Sequence, residues 1–421
     1  MKISRARGTQ VLFGKEALLF EHIEEVFKQT SQGFGFAPMA TPIFESSAVF
    51  SRGLGESSDI VSKEMYSFED RNGESFTLRP EGTAGIARAF VTEGLSQHSP
   101  FKVYYQGPMF RYERPQKGRY RQFHQLGVEN IGITSHLSDL EVIALGHEFL
   151  NRLGLMKNCE LQINSIGDEE SRAAFREKFV NFLAPFESEL SEDSQKRLKQ
   201  NPLRIFDSKS ESDQKILEGA PKLEESLNSE SKLFRDLIFE GLSQLGIPFH
   251  PVSGLVRGLD YYTHVVFEFV TKDLGAQGTV LAGGRYDHLV EQMGGPSTSG
   301  VGFAAGIERL ALLLEDRATQ NLSDIMVIPI HGDLEMEAFK ITEKLRKLGF
   351  KVFSHFSGNM SKRMKKAHSQ NLKAAVLVGP EEIESQIFKV KDFRSGEQMD
   401  VAEKDLEKAL KTLLSDTNSK K

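Results

Sequence analysis

The chain has 421 residues, a single cysteine, and a net charge of −6 from 53 Lys/Arg against 59 Asp/Glu. At about 150 residues per domain, that length spans two to four domains. The lone Cys159 excludes an intramolecular disulfide and any cysteine-cluster zinc or iron–sulfur site, and no apolar run reaches the ~18 residues of a membrane span.

The first ten residues, MKISRARGTQ, are basic but carry no apolar stretch, so a cytoplasmic protein is expected. The charge is uneven. Residues 323–421 hold 18 Lys/Arg against 15 Asp/Glu, leaving +3, and the remaining residues stand at −9. A basic C-terminal unit behind an acidic body points to a separate binding module.

In chain order, Leu19, Ile23, Val26, Phe27 and Thr30 predict a helix over 15–30, stopped by Gly33 and Gly35. The extended segment 36–45 contains Pro38 and Pro42, which suits an edge strand. MYSFED and ESFTLR flank Arg71-Asn72-Gly73, a hairpin signal. KVYYQGPMFRYER (102–114) and RYRQFHQLGVENIG (119–132) read as a long antiparallel hairpin around the turn PQKG. A helix over 138–153 and a strand over 159–167 follow.

Residues 168–247 are charged and helical, and read as an inserted subdomain. Strand character returns with RGLDYYTHVVFEFV, and glycine turns at 283–284 and 294–300 lead to a helix over 304–316. Beyond a linker near 317–324, strands and helices alternate and end in a hairpin and a helix, the mark of an α/β domain.

The chemistry narrows by elimination. HExxH, GxSxG and GxxxxGK[ST] are all absent, and GVGFAAG (300–306) has the wrong glycine spacing for a dinucleotide fingerprint. What stands out is arginine. Residues 111–121 carry Arg111, Arg114, Lys117, Arg119 and Arg121 against Glu113 alone. On a returning strand, Arg119, Arg121, Phe123, Gln125 and Glu129 share one face. Such a row packs poorly but suits a cleft that takes a zwitterion and a phosphate.

TLRPEGTAG (77–85) sets Glu81 and Thr83 at a helix entrance. LVRGLDYYT (255–263) places Arg257 beside two tyrosines, AGGRYD (282–287) puts Arg285 and Tyr286 on a glycine turn, and GIERL (306–310) starts a helix with Arg309. A structural role is open to any one of these arginines; together they favour anion binding.

These motifs resemble the histidyl-tRNA synthetase family in its bacterial form, within the class II aminoacyl-tRNA synthetases. TPIFE with Pro42 is similar to motif 1, residues 110–129 to motif 2, and 300–310 to motif 3. LVRGLDYYT and AGGRYD are similar to the family's histidine signatures. The resemblance implies an α+β fold: a six- or seven-stranded antiparallel sheet flanked by helices, with a helical insertion and a C-terminal α/β anticodon-binding domain. The boundaries expected are 1–167 and 249–320 for a split catalytic domain, 168–248 for the insertion and 325–421 for the anticodon domain.

It also implies ATP-dependent ligation of L-histidine to its tRNA by a homodimer. Mg2+ would accompany ATP, with no metal held by a protein cluster and no membrane partner. By the family pattern Arg111, Arg257 and Arg309 are catalytic. Glu81, Thr83, Gln125, Glu129, Arg257, Tyr261, Tyr262 and Tyr286 bind histidine. Arg111, Arg119, Arg121, Phe123 and Arg309 bind ATP. The alternative is an inactive synthetase-like regulatory subunit that senses histidine.

Overall fold

The computed structural model describes residues 3–55, 58–256, 259–275, 278–315 and 323–415. The chain divides into two units, Met1–Arg317 and Ala318–Lys421. In the first, α1 (Lys15–Gly33) buries Leu19, Phe20, Ile23 and Phe27, the stripe its spacing predicts. The chain then turns at Gly35, whose φ of 78° favours glycine.

β1 (Ala37–Pro38), β2 (Phe44–Ser46), α2 (Ser47–Leu54), β3 (Tyr66–Glu69) and β4 (Ser75–Leu78) follow. The β3–β4 connection is wider than a two-residue Asn-Gly turn. Asp70 Oδ1 accepts from the backbone N–H groups of Asn72 and Glu74, at 2.8 and 2.9 Å, and closes an Asx loop. Next come α3 (Thr83–Thr92), β5 (Phe101–Phe110), β6 (Gln122–Ile131), α4 (His136–Arg152) and β7 (Cys159–Gly167).

The β5–β6 hairpin is shorter than the sequence pattern. Its last paired residues are Phe110 and Gln122, so residues 112–120 form a loop, not strand. Pro115 has no N–H to offer a ladder, and Gly118 sits at a φ of 74°.

The insertion consists of α5 (Glu169–Leu183), α6 (Glu192–Gln200), α7 (Glu211–Leu217) and α8 (Ser229–Gln244), joined by short 3-10 turns. Asp168, Ser191 and Asn228 cap α5, α6 and α8 by accepting from backbone N–H groups. The chain returns through β8 (Phe249–Pro251), β9 (Thr263–Thr271), β10 (Thr279–Tyr286), α9 (Leu289–Gln292), β11 (Gly300–Gly306) and α10 (Ile307–Leu313).

Three local expectations need correction. The strand expected from residue 257 begins at Thr263, and 259–262 is irregular. Gly283 and Gly284 lie inside β10, not in a turn, and residues 304–306 belong to β11, not to the last helix. The physical reason is close packing. A Cβ on Gly284 would lie 2.6 Å from the Val265 carbonyl oxygen and 2.8 Å from the Tyr262 ring. These glycines make room on a crowded sheet face, and turn composition alone cannot reveal that.

The main sheet has the order β1-β5-β6-β11-β10-β9-β7-β8. Its six central strands are antiparallel, and the short edge strands β1 and β8 pair in parallel. One face packs Val128, Phe267, Phe269, Leu281 and Phe303 against Phe27 of α1, Phe149 of α4, Leu242 of α8 and Leu310 of α10. The opposite face packs Val103, Tyr105, Ile131, Val266 and Tyr286 against helices that include α2, α3 and α5.

Arg285 belongs to the first face and is a core arginine, not an anion site. It is 1% exposed. Its guanidinium forms a short ion pair with Asp139 of α4, meets Asp287 at 3.1 Å, and donates to the carbonyl oxygens of Ile133 and Ser135. Arg285→Met leaves the buried Asp139 without its cation and should cost about 3–5 kcal/mol in a urea titration. Wild-type stability would rule this role out.

The second unit is a five-stranded sheet, β13-β12-β14-β15-β16. Its elements are β12 (Ile325–Pro329), α11 (Glu335–Lys347), β13 (Val352–Phe353), α12 (Met360–Ser369), β14 (Ala374–Val378), α13 (Pro380–Ser385), β15 (Ile387–Asp392), β16 (Gln398–Ala402) and α14 (Leu406–Ser415). The first three strands in chain order pair in parallel, and the terminal hairpin adds in antiparallel fashion. α11 and α14 cover one face and α12 the other. Among the described residues, no helix is long and apolar enough to cross a membrane.

Candidate active site

The second face of the main sheet carries a cleft of about 960 Å³ including its mouth. Its floor is made of missing side chains. Gly302 of β11 lies directly across from Glu129 of β6, and Gly300 directly across from Tyr286 of β10. A Cβ on Gly302 would sit 1.9 Å from Glu129 Oε2, and one on Gly300 would sit 2.2 Å from the Tyr286 ring. Small residues under long polar ones let Glu129 and Tyr286 lie along the sheet. Gly302→Ala should therefore displace Glu129 from its bonds with Thr83 and Tyr286 and lower the melting temperature, read by circular dichroism. An unchanged melt would mean that the sheet absorbs the added methyl group without moving Glu129.

At the inner end, Glu129 is 1% exposed. It accepts from Thr83 Oγ1 at 2.7 Å and from the Tyr286 hydroxyl at 2.5 Å. Burial pushes its carboxyl up to about 8, against the lowering pull of these hydrogen bonds. The Tyr261 ring lies 4.6 Å from Tyr262 and 5.7 Å from Tyr286, and the three rings wall this end. Burial holds the Tyr261 and Tyr286 hydroxyls well above their ordinary range, so both remain protonated donors.

Glu81 also lines the cleft and has a structural duty. Its two oxygens accept from the N–H groups of Thr83 and Ala84, each at 2.7 Å, and so cap α3. Burial raises its pKa, and those hydrogen bonds oppose the rise. Gln125 is the unmet acceptor: its amide oxygen is buried with no partner among the described residues. A cationic ligand group would satisfy it.

The outer end is cationic. Arg111 donates from Nε to the Pro80 carbonyl oxygen at 2.9 Å, and its guanidinium lies 5.2 Å from the Phe123 ring centre. Desolvation lowers its pKa, opposed by Glu64 and Glu81. Arg309 of α10 lines the same end and donates to the Thr279 carbonyl oxygen at 2.6 Å. Arg119 lines the cleft while paired with Glu113.

Arg121 sits elsewhere. It stacks over the Tyr112 ring at 4.0 Å, and its Nε donates to the Glu113 carbonyl oxygen. The expectation that it shares a strand face with Phe123 fails because β6 starts only at Gln122. Arg257 lies outside the described residues.

Sequence reasoning missed three contributors. Gly302 could have been found only from the strand register. Tyr105 fills the space that Gly82 and Gly127 leave open. Glu308 accepts from the His124 backbone N–H and Nδ1, at 3.0 and 2.9 Å, and pins β6 to α10.

Comparison with known proteins finds relatives over both units. The family model described as histidyl-tRNA synthetase matches residues 8–310, and the anticodon binding domain model matches 324–413. The histidine–tRNA ligase of Rhodospirillum rubrum is 51% identical over 93% of this chain and 94% of its own length. That of Marinomonas sp. is 46% identical over 94% and 96%. The crystal structure of apo Staphylococcus aureus histidyl-tRNA synthetase superposes with a TM-score of 0.81 at 34% identity, covering 97% of this chain and 100% of that one. The chain is thus matched over nearly its full length in sequence and in fold, and it belongs to the histidyl-tRNA synthetase family.

Proposed function

We propose that the chain is a histidine–tRNA ligase that works in two steps: histidine and ATP give histidyl-adenylate and pyrophosphate, and the histidyl group then passes to the terminal ribose of the tRNA. The observation that carries this reading is the polarity of the cleft, a paired polar pocket at one end and arginine side chains at the other.

In the first step a histidine carboxylate oxygen bonds to the α-phosphorus of ATP, and the bond to the bridging β-phosphate oxygen breaks. Two anions must meet, so fixed positive charge lowers the barrier. Arg111 would hold the α-phosphate and carboxylate, Arg309 the far phosphates, and Arg257 the opposite side of the reacting phosphorus. Arginine suits all three roles because it stays charged and presents a planar fork. Phe123 would stack on adenine, with Arg119 and Arg121 near the ATP and the tRNA end.

Histidine would lie inward. Its α-ammonium would meet Glu81, Thr83 and Gln125. Glu129 would take one imidazole nitrogen and the Tyr262 hydroxyl the other, between the Tyr261 and Tyr286 rings. Among the described residues no three His, Cys, Asp or Glu side chains converge as metal ligands. Mg2+ would therefore enter on the ATP phosphates, which need few protein ligands to hold it.

The homodimer implied by the family would use the three-stranded sheet β2-β4-β3, whose Phe44 and Phe68 are 51% and 45% exposed beside Phe76. The second unit would read the anticodon in the cytoplasm.

Charging total tRNA with each labelled amino acid in turn tests the reading. Histidine alone should be incorporated. Incorporation of another amino acid, or of none, would overturn it.

A further inference from the structure

The segment 259–262 carries two walls of the amino-acid pocket, Tyr261 and Tyr262, yet lies in no helix or strand. An irregular segment without a ladder needs its carbonyl groups and side chains tied down from elsewhere. The ties come from the insertion. Arg172 of α5 donates from Nη1 to the Tyr262 carbonyl oxygen at 2.8 Å. Asn201, at the end of α6, donates from Nδ2 to Asp260 Oδ1 at 2.8 Å. The tyrosine side chains therefore face the cleft while the segment's outer side is held by the insertion.

Arg172 is itself braced. α5 is fixed at its start by the Asp168 cap and by the contact of Ser171 with Ser231 of α8. Burial lowers the Arg172 pKa, opposed by Glu169, Asp168, Asp260 and Asp287, so the cation sits among acids that favour its charge. A charged donor on a carbonyl makes a stronger bond than a neutral one.

We propose that the helical insertion positions the histidine pocket: Arg172, seconded by Asn201, fixes the 259–262 segment and so sets affinity for the amino acid while leaving the ATP site alone. Arg172 is a positioning residue. This rests on the reading of the cleft as a histidine–ATP site, and deepens it.

The test measures L-histidine binding by calorimetry without ATP, and separate KM values for histidine and ATP in pyrophosphate exchange. Arg172→Met keeps the stem and loses the donor. It should weaken histidine binding and raise the histidine KM about tenfold, with the ATP KM within about twofold. Arg172→Lys, which can still donate, should recover most of the loss. Asn201→Asp sets a second carboxylate against Asp260 and should move the histidine KM in the same direction, so it serves if Arg172→Met does not fold.

An unchanged histidine KM, an equal rise in both KM values, or no recovery with lysine overturns the proposal. A wild-type protein that binds histidine but exchanges no pyrophosphate would instead defeat the ligase reading, and the calorimetric comparison would still decide the role of Arg172.

Discussion

Replacing Arg111 with alanine should cut histidine-dependent pyrophosphate exchange by about 10²–10³-fold while the chain stays folded, the loss expected when one preorganised charge is removed from a transition state that gathers anions. Among the described residues the Arg111 guanidinium forms no ion pair; its Nε donates to the Pro80 carbonyl oxygen, and Phe123 covers one side. A desolvated cation in this state is held at a cost, which an anionic ligand offsets. Stability should therefore change little, or rise. Lysine should not rescue, because a point charge cannot hold phosphate and carboxylate with one fork. Exchange kinetics with a circular-dichroism melt check both halves. Exchange within threefold of wild type would remove Arg111 from the phosphate site.

Replacing Glu129 with glutamine should lower kcat/KM for histidine by about 10²-fold or more, because a site built around paired polar groups rejects a mismatch strongly. The amide keeps the size but has a single oxygen, so it can accept from Thr83 or from Tyr286 in this geometry and not from both, and its NH2 group cannot accept from an imidazole N–H. The same variant tests the electrostatics. The Glu129 carboxyl is raised from 4.5 to about 8 by burial, so the folded state penalises its charged form. That cost is absent below pH 4.5 and complete above pH 8, and wild-type stability falls as pH rises through this window. Glu129→Gln removes it. Relative to wild type, the variant should thus gain melting temperature as pH rises from 4.5 to 8, while being poorly active throughout. A difference between the two melting temperatures that stays constant across this window would show that the charged carboxylate is not penalised in place.

Much of the fold could be read from period and punctuation. The stripe of α1, the β5–β6 hairpin, the strand-poor insertion and the alternating C-terminal unit all carried local signals. The misread positions have one cause in common. Gly283 and Gly284 looked like turn residues, but each lies in a strand where a Cβ would strike a neighbour from another strand. Arg285 looked like a free cation because its partner Asp139 is 146 residues away in sequence. Residues 111–114 and 119–121 looked like strand around the PQKG turn, but the paired ladder ends at Phe110 and Gln122.

The polar cast of the cleft was legible because arginine, glutamate and tyrosine in apolar surroundings are conspicuous. The ties from Arg172 and Asn201 were not, because a side chain that reaches a backbone oxygen leaves no mark in composition or spacing.

The central claim is that one cleft holds histidine at Glu129 and ATP at Arg111. Pyrophosphate exchange, measured with purified protein, ATP, Mg2+ and each amino acid separately, tests this most directly. Exchange that requires histidine, is silent with the other amino acids and falls in both the Arg111 and Glu129 variants is the predicted result. Exchange driven equally by another amino acid, or histidine-dependent exchange left intact in both variants, would contradict it.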